Sequence, residues 1–164
     1  MKSTDRMLIG IVGGIVLLVI VALVSTLTQP PAEYQPEDSP SGVVHNYLLA
    51  LQDEDHERAH RYLSTSLRCY PATVAEFTAD VRGNSWAFGR YDEGSSVAVE
   101  DATVHGDRAT VEVAQTRFRG GDLFQSGQSF NRFDVELVLE EDQWRIINAD
   151  RYFATGAWTS TWCE

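Results

Sequence analysis

Residues Val43–Ser64 read VVHNYLLALQDEDHERAHRYLS, and two features of this stretch pull in different directions. Val43, Val44, Tyr47, Leu48 and Leu51 recur at helical spacing and form one apolar stripe. Ser39 precedes it as a cap, with Pro40 at the first helical position, where its missing amide donor costs nothing. His56-Glu57-Arg58-Ala59-His60 satisfies H-E-x-x-H, which on a helix puts two imidazoles one turn apart with a glutamate beside them, as in many zinc proteases. The first feature describes a scaffold and the second a catalyst.

A catalytic zinc needs a third protein ligand and an open coordination position. Six residues beyond His60 stands Ser66. Glu76 follows His60 by 16 residues and belongs to Thr73-Val74-Ala75-Glu76, which has capping-box spacing. His56 and His60 are therefore at most a two-point chelate, needing Asp53 or a partner chain to complete a shell, and no resident metal or cofactor is expected.

Outward from this stretch, the chain of 164 residues divides by composition. Residues 1–7 are a short basic-flanked N-terminus. Residues 8–28 carry no charge, and at 1.5 Å per residue would cover roughly 30 Å of hydrocarbon. The apolar run is longer than that of a cleaved signal peptide, and Val24-Ser25-Thr26 is a poor cleavage site, so the expectation is a single-pass signal anchor. Lys2 and Arg6 precede the span and Arg58 is the next basic residue. This asymmetry keeps the N-terminus in the cytoplasm and puts the rest outside the cell membrane.

Residues 29–40 hold four of the five prolines and are expected to form a semi-extended stalk. Residues 41–164 suit one compact domain. From Gln29 onward, 11 arginines and no lysine stand against 23 acidic side chains, a formal charge of −12. Such a balance argues against nucleic-acid binding. Cys69 and Cys163, the two cysteines, fall where oxidation is permitted; one intramolecular disulfide is expected, against free thiols or an intermolecular bridge.

Within the domain a second helix is expected after Asp55, burying Ala59, Leu63 and His60 or Tyr62. A third runs from Thr73 to Gly83 with Val74, Phe77 and Val81 inward, and His45 lies off the first stripe as a solvated side chain. The period then becomes two. Val97 and Val99 alternate, and Ala102 and Val104 continue on the other parity, which predicts a β-bulge near Glu100-Asp101 before a turn at His105-Gly106-Asp107. Ala109, Val111 and Val113 form the next strand. Phe133, Val135, Leu137 and Leu139 oppose Arg132, Asp134, Glu136 and Glu140 on a sheet with one wet face. Glu141-Asp142 turns the chain into a last strand. Helices followed by antiparallel strands define an α+β domain: three helices packed on a curved sheet, after one transmembrane helix.

Tyr47, Leu48, Ala50, Leu51, Asp55, Glu57, Arg58, Ala59, Leu63 and Ser64, with Glu141, Asp142, Trp144, Arg145 and Ile146 in the final hairpin, resemble the exported, membrane-anchored members of the nuclear-transport-factor-2-like superfamily. The usual turn glycine of that hairpin is absent. The resemblance covers about Gly42 to Phe153 and implies a cystatin-like cone. The expectation is a non-catalytic module binding a small apolar ligand or a protein partner; many relatives pair with themselves across the sheet face, and the sequence leaves open whether this chain forms such a homodimer. A cone pocket would be lined by some of Tyr47, His60, Phe77, Trp86, Phe88, Phe118, Phe133 and Trp144, aromatics that equally serve as core. The superfamily also contains ketosteroid isomerases and dehydratases; His60, Tyr47, Tyr91 and Asp150 are the side chains able to reach such a site, and no motif carries a catalytic role onto them. Trp158 and Trp162 in the C-terminal segment are expected to pack back on the domain, against the alternative of an exposed aromatic partner site.

Overall fold

The computed structural model describes residues 3–27, 32–67, 70–83, 95–119 and 127–149. The chain forms two compact units, Met1–Glu33 and Tyr34–Glu164. The first contains helix α1, Ser3–Leu27, of 25 residues. Its described side chains, Gly10 to Val24, are all exposed. Among the described residues no helix is long and apolar enough to cross a membrane.

In the second unit Ser39 caps α2 (Pro40–Gln52), its hydroxyl accepting from the Gly42 amide at 3.1 Å, with Pro40 at the helix start. The expected stripe is buried, but so are Asn46, Leu49 and Ala50. The helix is enclosed on more than one side. The sheet takes the Val43, Val44, Tyr47 and Leu51 side, and the chain preceding the helix covers Asn46. There the Asn46 Oδ1 accepts from the Gln35 amide at 2.7 Å and its Nδ2 donates to the Gln35 carbonyl at 2.8 Å. A Cβ on Gly42 would stand 2.1 Å from the Pro36 carbonyl oxygen, so only glycine admits this approach. Residues 34–39, expected as part of the stalk, therefore belong to the folded unit.

Helix α2 ends in a Schellman motif: the Asp55 amide donates to the Ala50 carbonyl at 2.8 Å, the Glu54 amide to Leu51 at 3.3 Å, and Glu54 takes φ 58°. Asp55 then caps α3 (His56–Arg61), accepting from the Arg58 amide at 3.0 Å. Ala59, His60, Tyr62 and Leu63 are all buried. For α4 (Val74–Gly83), the Thr73 hydroxyl accepts from the Glu76 amide at 3.2 Å, while the Glu76 carboxylate reaches back to the Ala72 amide at 2.8 Å. Phe77 is its one buried residue and Val81 is partly buried; Val74, expected inward, is exposed. The buried contact of this helix falls on Phe77, whose ring meets those of His56 and His60 on α3.

The sheet is an antiparallel meander, β1 (Ser95–His105), β2 (Arg108–Arg119), β3 (Gly127–Glu140) and β4 (Gln143–Ala149), in that spatial order. The bulge expected in β1 lies between Val99 and Asp101. A second register shift, where β3 between Glu136 and Leu137 faces β4, leaves Ile147 without an opposite number. Ala109, Val111, Val113, Phe133, Val135, Leu137, Trp144, Ile146 and Ala149 meet α2 and the segment after α3 in one core. Arg132, Asp134 and Glu136 project from the other face into water. Leu139, grouped with the inward residues by alternation, is 37% exposed because it sits near the hairpin end.

Candidate functional site

Two regions bear on function: the space between helices and sheet, and a cleft beside α3. The first is occupied by side chains wherever it is described. Tyr47, Phe77, Phe133 and Trp144 have exposures of 2, 0, 6 and 9%. Trp86 and Phe88 lie outside the described residues, as do Tyr91, Asp150, Trp158, Trp162, Cys69 and Cys163. Phe118 is on β2, with its side chain outside the described set.

The two histidines of H-E-x-x-H go separate ways. His60 is buried, and its Nε2 lies 2.7 Å from the Pro71 carbonyl oxygen. That carbonyl can only accept, so Nε2 carries the proton and is not free for a metal. The ring packs on Tyr70 and Phe77 with centroids 5.2 and 5.6 Å away. His56, half-buried, meets the Phe77 ring edge-on at 6.2 Å. Among the described residues no group of three candidate ligands converges.

The cleft, of about 970 Å³, is lined from Glu37, from α3 and the segment through Tyr70, and from the β3–β4 hairpin. Leu63 and Ile146 form a parallel bridge, in which the Ile146 amide donates to the Tyr62 carbonyl at 2.8 Å and the Ser64 amide to the Ile146 carbonyl at 2.9 Å. One end of the cleft is pinned by Glu140, whose Oε1 accepts from Ser64 Oγ at 2.6 Å and Ser66 Oγ at 3.4 Å. At the other end Tyr62 donates to Glu37 Oε1 at 2.7 Å. Burial, then this hydrogen bond, holds the Tyr62 phenol above its usual range. The Arg58 guanidinium lies over the Tyr34 ring at 3.7 Å. Its withdrawal from water works to lower its pKa, but Tyr34 and Tyr62 together keep it above the ordinary value. Arg145 donates to the Arg61 carbonyl and to Gln143 Oε1.

Of the described side chains singled out for a pocket, His60 alone lines this cleft. Arg58, Leu63 and Arg145 were legible as scaffold positions, but nothing in their spacing revealed that they share a wall. The bridge between Leu63 and Ile146 brings them together, and such long-range pairing leaves no periodic trace.

No protein-family profile matches the chain, and no curated protein matches it in sequence. Solved structures similar to it include several NTF2-like proteins. One is an NTF2-like protein with a cystatin-like fold from Novosphingobium aromaticivorans, at 16% identity and TM-score 0.47, covering 71% of this chain and 80% of that one. Another is a candidate ketosteroid isomerase from Shewanella frigidimarina, at 20% identity and TM-score 0.49, covering 70% and 95%. A third, from Shewanella oneidensis, is NTF-2 like and of unknown function, at 12% identity and TM-score 0.43, covering 66% and 92%. These are likenesses of fold, and what each neighbour is named for stays with that neighbour.

Proposed function

We propose that the chain is a single-pass membrane protein whose α+β domain, outside the cytoplasm, is a non-catalytic module that binds a protein partner. The observation that carries the anchor is α1 itself, an unbroken helix of 25 residues over the sequence STDRMLIGIVGGIVLLVIVALVSTL. An α-helix pairs the backbone N–H and C=O groups of its interior within itself, as a hydrocarbon environment demands. Basic residues flank it only on the N-terminal side.

Two facts favour a binding module over an enzyme or a small-ligand carrier. The described interior is filled by Tyr47, Phe77, Phe133, Leu137 and Ile146. Of the described buried polar side chains, Asn46, His60 and Ser64 are consumed in holding the chain to itself, through Gln35, Pro71 and Glu140, while Gln115 is carried on β2. A cone-borne acid or base would need to face open space.

Alkaline carbonate extraction of membranes bearing the full chain tests the anchor. The chain is expected in the pellet. Val16→Arg with Ile20→Arg, at about 2.5–3.5 kcal/mol per charge at the helix centre, is expected to move it to the supernatant. A wild-type chain extracted by carbonate would end the reading.

A further inference from the structure

The cleft beside α3 carries chemistry that the module reading does not use and does not depend on. Three guanidinium groups, Arg58, Arg61 and Arg145, line it in a chain of formal net charge −11. In so acidic a protein a cation is readily neutralised. Arg132, on the outer sheet face, is held by Glu100 at 2.7 Å and Glu112 at 3.0 Å. No described carboxylate stands within ion-pair distance of the three cleft arginines. Two of the glutamates on the same walls take hydroxyl hydrogen bonds instead, Glu37 from Tyr62 and Glu140 from Ser64 and Ser66.

Two of the three guanidiniums are also positioned before any ligand arrives. Arg58 rests on the Tyr34 ring, and Arg145 is tied to the Arg61 carbonyl and Gln143. Ordering long side chains in advance removes part of the entropy cost of binding.

We propose that this cleft is a binding site for a compact oxyanion, the carboxylate or phosphate group of a small solute. A guanidinium presents paired N–H donors that match such a group. Leu63 and Tyr70 supply apolar surface beside it. Glu140 and Glu141 on the hairpin side repel extended polyanions, so the site selects a single charged group over a nucleic-acid strand or a polyacidic tail.

The test is calorimetric titration of the full chain in neutral detergent, at low chloride, with sodium phosphate and separately with sodium succinate. Saturable binding of at least one probe is expected, weakened about tenfold or more by Arg61→Gln and by Arg145→Gln, and unchanged by Arg132→Gln. Phosphate alone binding assigns the site to phosphates, and succinate alone to carboxylates. No saturable binding of either probe, or equal weakening by Arg132→Gln, overturns the proposal. Arg61 is exposed, so Arg61→Gln keeps the test decisive if Arg145→Gln disturbs the fold.

Discussion

Glu54, Glu141 and Asp142 hold φ angles of 58°, 48° and 63°, where a Cβ crowds the backbone and glycine is the usual occupant. Glu54 closes the Schellman motif of α2, and Glu141-Asp142 form a two-residue hairpin turn with both residues left-handed, the geometry of a type I′ turn. Replacing Glu54 or Asp142 by glycine is expected to stabilise the domain by about 0.5–1 kcal/mol each, read as a higher urea midpoint at unchanged slope. A lower midpoint would mean that the acidic side chains contribute more than their strain costs. Gly42 is the converse case. With the Pro36 oxygen 2.1 Å from where its Cβ would be, Gly42→Ala is expected to cost about 1–3 kcal/mol. It should also speed amide exchange at Gln35, whose hydrogen bond to Asn46 depends on that close approach. Ser39, Pro40 and the missing hairpin glycine were all legible in the chain. The demand on Gly42 was not, because it comes from a segment that had read as stalk.

At the scale of elements, alternation exposes one bulge and conceals another. Val97 and Val99 change parity with Ala102, and the register shift falls between Val99 and Asp101. Trp144 and Ile146 change parity with Ala149 in the same way, but Ile147 between them is itself apolar, so the break was invisible until β4 was paired with β3. On the outer face of the sheet, Arg132 of β3 bridges Glu100 of β1 and Glu112 of β2. Its hydrogen bond holds the Glu100 carboxyl below the usual range, whereas Glu100 pushes Glu112 up. A lowered carboxyl contributes stability above its unfolded pKa and loses it as pH falls through the folded value. For a raised carboxyl the folded state keeps its proton longer than the unfolded state, so stability falls as pH rises through that window. Glu112→Gln removes the second effect and leaves in place Arg132, the largest influence lowering Glu100. Its melting temperature relative to wild type is expected to climb as pH is raised from about 4 to 6, and a difference that stays flat would contradict the pairing.

For the whole molecule, the α+β class, the helix order and the strand sequence were readable because each rests on local periodicity. The H-E-x-x-H pattern proved part of that scaffold, with Asp55 as a cap, Ala59 in the core and His60 bound to Pro71. The cleft was not readable, since its walls come from Glu37, α3 and the final hairpin and meet only through tertiary pairing. The proposed role joins two proposals: that the apolar helix anchors, and that the acidic domain, filled wherever it is described, works on the far side of the membrane. Sidedness tests that union most directly. With an epitope placed after Glu164 in the full chain, a membrane-impermeant protease added to intact cells is expected to remove the epitope while a cytoplasmic marker survives. An epitope protected until the cells are lysed would contradict the account.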